Sequence, residues 1–81
     1  QEKYLAEINI YADNRTGLLA DISRIFTERK IDLRGINSRT SKQEVATISL
    51  DFEIGSKEEL RSLIEKLRQV ENVIDVKRTT G

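Results

Sequence analysis

Residues 4–30, YLAEINIYADNRTGLLADISRIFTERK, pass from one hydrophobic period to another across a single turn, and that change decides the fold. Tyr4, Ala6, Ile8, Ile10 and Ala12 share one face of an alternating run, while Leu5, Glu7, Asn9 and Tyr11 share the other. Period two sustained over 4–12 describes a strand packed on one side. DNRTG at 13–17 is a cluster of turn formers, and beyond it Leu18, Leu19, Ile22, Ile25 and Phe26 recur at helical spacing. They predict an amphipathic helix over 17–29, with Leu18 and Leu19 in the core. Asn14 or Thr16 is expected to cap it, because either side chain can accept from the free amides of a first helical turn.

Working outward, IDLRGINSRT at 31–40 reads as a second strand with a fault in it. Ile31 and Leu33 share a phase that Ile36 does not, and Gly35 stands at the slip, where a β-bulge would absorb the extra residue. SKQE at 41–44 makes a short polar loop before the third strand, in which Ala46, Ile48, Leu50, Phe52 and Ile54 alternate with Val45, Thr47, Ser49, Asp51 and Glu53. Two strands joined by so short a loop form an antiparallel hairpin. Gly55 ends the hairpin. Ser56 and Glu59 then make a capping box ahead of an apolar stripe of Leu60, Leu63, Ile64, Leu67 and Val70. A turn at Glu71-Asn72 leads into a last short strand, VIDVKR at 73–78.

The order is β-α-β-β-α-β, and each helix has a single apolar stripe. Both helices must therefore pack on one face of one sheet, which is the α+β ferredoxin-like sandwich with a four-stranded antiparallel sheet. Right-handed crossovers put the first and third strands in the centre and leave the second and fourth at the edges. The open face then carries Glu7, Asn9, Thr47, Ser49, Asp51 and Glu53, a surface that tolerates water.

Composition narrows what such a domain can do. Eighty-one residues make one domain over 1–81 with one core, burying about 60% of its unfolded surface. Fourteen basic residues balance fourteen acidic ones, so the broad positive patch of a dedicated nucleic-acid binder is missing. There is no His and no Cys, which removes the commonest general base, the thiol nucleophile and nearly every zinc site. Carboxylate or lysine chemistry survives that filter, but the expectation is a non-enzymatic module with no cofactor and no metal. No run is apolar enough for a transmembrane segment or a secretory signal, so no membrane partner is expected, and the lack of cysteine fits a cytoplasmic protein. A chain that starts at Gln1 and contains no Met is expected to be a piece of a longer polypeptide.

The architecture is shared by proteins with different needs. An RNA-recognition motif requires aromatics on the open face to stack bases, where the third strand has Thr47, Ser49, Asp51 and Glu53. A metal carrier requires paired thiols in the first loop. An acylphosphatase requires an arginine and an asparagine around a phosphate cradle. Arg15 and Asn37 are available for that, but loop 13–17 is short and has one glycine. The remaining member is a small-molecule sensor.

Asp13-Asn14-Arg15-Thr16-Gly17-Leu18-Leu19-Ala20-Asp21-Ile22 resembles the hallmark of the ACT domain, a strand ending in D-R-x-G-L-L-x-x-I. Arg15, Gly17, Leu18, Leu19 and Ile22 match, and Asn14 stands where the pattern has Asp. The likeness covers the whole chain. Within that family it is nearest to the C-terminal ACT domain of RelA/SpoT-type alarmone synthetases, the (p)ppGpp synthetases and hydrolases. Three stretches carry this: AEINIYADNRTGLLADIS (6–23), INSRTSKQEVATISLDFEI (36–54) and LRQVENVIDVKRT (67–79), the last holding a V-x-x-V-x-R strand. The resemblance implies a domain from near the C-terminus of an enzyme that transfers pyrophosphate from ATP to GTP, or hydrolyses the product. The domain itself would sense amino-acid starvation in the stringent response, with the ribosome and uncharged tRNA as partners of the whole protein. The alternatives are an amino-acid-sensing ACT domain of another metabolic enzyme or regulator, and an RNA-contacting module using Arg34, Arg39, Lys42, Lys77 and Arg78.

In ACT domains a free amino acid sits where two copies meet, between this loop and a neighbour's second strand. The resemblance therefore assigns Asn14, Arg15, Thr16, Gly17 and Leu18 to one side of an effector site, and Ile36, Asn37 and Ser38 to the other. The chemistry agrees: a helix start offers unpaired amides and a positive dipole end, Gly17 permits close approach, and Arg15 adds charge. In a chain with no effector, Gly17 only starts the helix, Arg15 is a solvated loop charge, and Asn37 faces water. The second strand, as an edge, also has backbone groups free to pair with a second copy.

Overall fold

The computed structural model describes residues 2–79. The elements run β1 (Tyr4–Asp13), α1 (Leu18–Glu28), β2 (Leu33–Thr40), β3 (Val45–Ile54), α2 (Lys57–Arg68) and β4 (Val73–Arg78). They form one antiparallel sheet in the order β2-β3-β1-β4, so β1 and β3 are central as the crossover rule requires. The fold is the ferredoxin-like sandwich expected from the sequence.

Alternation in the two central strands builds the floor of the core. Ala6, Ile8, Ile10 and Ala12 of β1 lie opposite Phe52, Leu50, Ile48 and Ala46 of β3, and all eight are buried. The helices lay Leu18, Ile22, Ile25 and Phe26 from α1, and Leu60, Leu63 and Leu67 from α2, onto that floor. Phe26 meets Phe52 edge to face, with centroids 5.1 Å apart, the geometry that sets a positive ring edge against a negative ring face. The Ser56 hydroxyl accepts from the Glu59 amide at 3.0 Å, and the Glu59 carboxylate accepts from the Gly55 amide, also at 3.0 Å.

Several local expectations change. Neither Asn14 nor Thr16 caps α1: Gly17 is the cap residue, in the left-handed region at φ 83°, and no side chain bonds the first turn. Leu19 is 42% exposed rather than in the core, because the buried stripe of residues 18, 22, 25 and 26 leaves it at its margin. The second strand begins at Leu33. Ile31 still turns into the core, its amide bonded to Phe26 O at 2.9 Å to close off α1.

The fault in β2 is where the sequence puts it. The register slips between Leu33 and Gly35, leaving Arg34 as the extra residue. Gly35 then lies opposite Asp51, so close that a Cβ there would run into the Asp51 carboxylate. Arg34 reaches across to Glu53 at 2.9 Å. A second bulge was not legible: between Tyr11 and Ala12 the β4 register slips, and Ile74 is left unpaired and exposed.

Candidate functional site

The loop after β1 is tied down on both sides. The Asp13 amide donates to Asn72 O at 2.9 Å, and Asn72 Nδ2 donates back to Asp13 O at 3.3 Å. The Asn14 amide donates to Glu44 O at 2.9 Å. Glu44 and Asn72 each turn the chain with positive φ, 65° and 79°, so the tips of two neighbouring turns point their carbonyls at this loop. The anchors hold the backbone ahead of α1 while leaving Asn14, Thr16 and Gly17 exposed.

Arg15 folds back over the helix start. Its Nη2 donates to Asp21 Oδ2 at 2.8 Å, Nη1 to Thr16 O at 3.2 Å and Nε to Glu71 O at 3.2 Å. Arg24 approaches the other Asp21 oxygen at 3.2 Å. The Arg15 hydrogen bond, aided by the charges of Arg15 and Arg24, holds the Asp21 carboxyl below its ordinary value. Asp21 therefore stays ionised and neutralised. A cleft of about 350 Å³ opens beside this pair, between α1 and the end of α2, with Glu28, Lys66 and Glu71 on its walls. The Arg15 charge is thus shared with a carboxylate six residues on, a pairing that no spacing rule encodes.

The helix start itself keeps free donors. The Leu18 amide bonds Arg15 O at 3.3 Å and the Asp21 amide bonds Gly17 O at 2.9 Å, but the Leu19 and Ala20 amides meet no acceptor among the described residues. Leu18 is only 3% exposed, so its side chain belongs to the core.

The other half of the expected site is elsewhere in the same chain. Asn37 pairs with Ser49, and Ser49 with Asn9, which lies four positions before the loop at Asp13. Ile36, Asn37 and Ser38 therefore stand two strand spacings, about 10 Å, to the side of β1 and roughly 13 Å back along it. All three are exposed, Ile36 by 47%. One chain does not bring the two groups together. Nor does it gather the cations suggested for RNA: Arg34 is paired with Glu53, Arg39 and Lys42 lie at the β2 end of the sheet, and Lys77 and Arg78 lie on β4 at the opposite edge. Asn9 accepts from Ser49 Oγ at 2.7 Å on the open face, which is polar as expected. Among the described residues no helix is long and apolar enough to cross a membrane.

The model of the ACT domain family matches residues 1–78. Over 79 residues the chain is 38% identical to the GTP pyrophosphokinase of Escherichia coli K12, covering 96% of this chain and 11% of that protein. It is 34% identical over 78 residues to the bifunctional (p)ppGpp synthase/hydrolase RelA of Mycobacterium tuberculosis, again 96% of this chain and 11% of the other. The chain thus spans about a tenth of the length of these curated relatives. Among solved structures, the ACT domain from the GTP pyrophosphokinase of Chlorobium tepidum superposes with a TM-score of 0.85 at 26% identity, over 96% of this chain and all of that one. A homoserine dehydrogenase from Thiobacillus denitrificans shares the fold, with a TM-score of 0.78 at 23% identity over 95% of this chain and 17% of the other. Strand order, the Arg15-to-Ile22 hallmark and a family match that leaves out only the last residues agree, and this chain belongs to the ACT domain family.

Proposed function

We propose that this ACT domain is the regulatory module of a cytoplasmic GTP pyrophosphokinase of the RelA/SpoT kind. In this reading it pairs with a second copy through β2 and reports amino-acid status to catalytic parts elsewhere in the parent chain, as the stringent response requires. The observation that carries the reading is the separation of two half-sites, loop 14–18 with Asn14, Thr16 and Gly17 exposed and the exposed strand residues 36–38, that only a second copy could complete.

In such a pair a free amino acid presents its carboxylate to the Leu19 and Ala20 amides at the positive end of α1. Asp21 does not repel it, because Arg15 and Arg24 already offset that charge. Asn14 and Thr16 supply polar contacts, and Gly17 presents no side chain to block approach. The second copy's Ile36 covers the apolar part of the ligand, while its Asn37 and Ser38 offer hydrogen bonds. Asn14, in place of the family's Asp, adds no negative charge to the entrance. Ribosome and uncharged-tRNA contacts belong to the parent protein in this reading.

The test is an amide-shift titration of the paired domain with each proteinogenic amino acid. Saturable shifts confined to residues 14–20 and 36–38 are expected for one class of them. A pair that forms but responds to none would leave a dimerisation module without an effector. Shifts on cationic surfaces with added RNA, lost on raising salt, would favour a nucleic-acid role instead.

A further inference from the structure

The two edges of the sheet are differently equipped. In an antiparallel ladder, residues alternate between those bonded to the neighbouring strand and those whose N–H and C=O point away from it. The Ser41 amide bonds Val45 O at 2.9 Å, which fixes the phase of the hairpin. Ile36, Ser38 and Thr40 then aim their backbone groups outward from β2, and none of these groups has a partner among the described residues. On the other side, the Thr79 amide bonds Glu7 O at 3.1 Å, which turns Asp75 and Lys77 toward β1 and Val76 and Arg78 outward.

Val76 is not open. Its amide donates to Asp75 Oδ1 at 2.8 Å, and its carbonyl accepts from Arg68 Nη2 at 3.0 Å. Arg68 Nε stands 3.8 Å from the same Asp75 oxygen and Nη1 lies 3.4 Å from Glu65, so the guanidinium is steadied on three sides. Just before it lies the bulge at Ile74. Resting on the reading that the domain pairs through β2, we propose that Arg68 and Asp75 seal the β4 edge at its middle, at Val76, leaving too short a free stretch at Arg78 to pair. Association with a second copy then stops at a closed twofold pair.

The physical reason is counting of edges. A sheet with two open edges can add a copy at each and grow without end, whereas one open edge gives a self-complementary pair and nothing more. Side chains that satisfy the outward groups of the central β4 residue remove the template without adding any strand. The seal draws on both layers of the sandwich: Arg68 comes from the end of α2, and Asp75 from β4 itself.

The experiment measures mass by light scattering across a concentration series. The variant R68M/D75T keeps the aliphatic stem of the arginine and puts a β-favouring residue in the strand. The unaltered domain is expected to plateau at twice the mass of one chain, and R68M/D75T to grow past it. S38P, which removes an outward donor of β2, is expected to be monomeric, and S38P/R68M/D75T to form a pair again through β4. A folded R68M/D75T that stays at the mass of the unaltered domain overturns the seal. A monomeric unaltered domain overturns the β2 pairing alone, since R68M/D75T must still associate through β4. Amide exchange in the unaltered domain is the check if the variant unfolds: Val76 should exchange roughly fivefold or more slowly than Arg78, which also faces outward. Equal rates would overturn the seal.

Discussion

Arg15 Nη2 lies 2.8 Å from Asp21 Oδ2, joining the loop before α1 to the helix's own first turn. The pair holds the Asp21 carboxyl below the 3.8 it would otherwise have. A carboxyl with a depressed folded-state value adds stability that is present above the unfolded value and lost as pH falls through the folded one. Asp21→Asn should therefore be less stable than the parent at neutral pH, with the gap narrowing once pH drops below 3.8 and closing in stronger acid. Urea unfolding at neutral pH and in acid checks this, and a gap that is constant with pH would refute it.

Gly17 occupies φ 83° at the cap of α1, where a side chain would meet nothing closer than Arg15 Nη1 at 3.7 Å. The difficulty is the backbone conformation rather than space. Gly17→Ala should cost about 1 kcal/mol, and Gly17→Asn less, because asparagine tolerates the left-handed region. Equal losses for the two in urea unfolding would point to a lost contact instead.

Gly35 and Asp51 should be coupled. A Cβ at 35 collides with the carboxylate opposite it, so Gly35→Ala should destabilise the hairpin unless Asp51 is shortened. A double-mutant cycle with Asp51→Ala should return a favourable interaction of about 0.5–1 kcal/mol in the double variant. Strict additivity would show that Asp51 swings clear by itself.

What was legible in the sequence follows from how far each interaction reaches along the chain. The alternation of Ile8 with Asn9, the Ser56-to-Glu59 box and the phase slip near Gly35 are local patterns, and each reappears in the structure. Leu19 misled because one turn of helix does not say how wide its buried stripe is. The Arg15–Asp21 pair and the bulge at Ile74 depend on a loop folding back and on two strands meeting at a given twist, which no spacing rule encodes. Loop residues 14–18 and strand residues 36–38 come from the family resemblance, the first group from its hallmark and the second from where its effectors sit. The resemblance already sets them on two copies, and the register of three strands adds how far apart one chain holds them.

The carbonyls of Glu44 and Asn72 have one more consequence for a regulator. By gripping the amides of Asn14 and Asp13, they take from the loop much of the freedom that a ligand would otherwise have to remove. A ligand proposed for the start of α1 would then be selected on shape and charge rather than on the ability to order a floppy segment. The same grips join that loop to the β2–β3 hairpin and to the α2–β4 turn, so the start of α1 is tied to connections on both sides of the sheet.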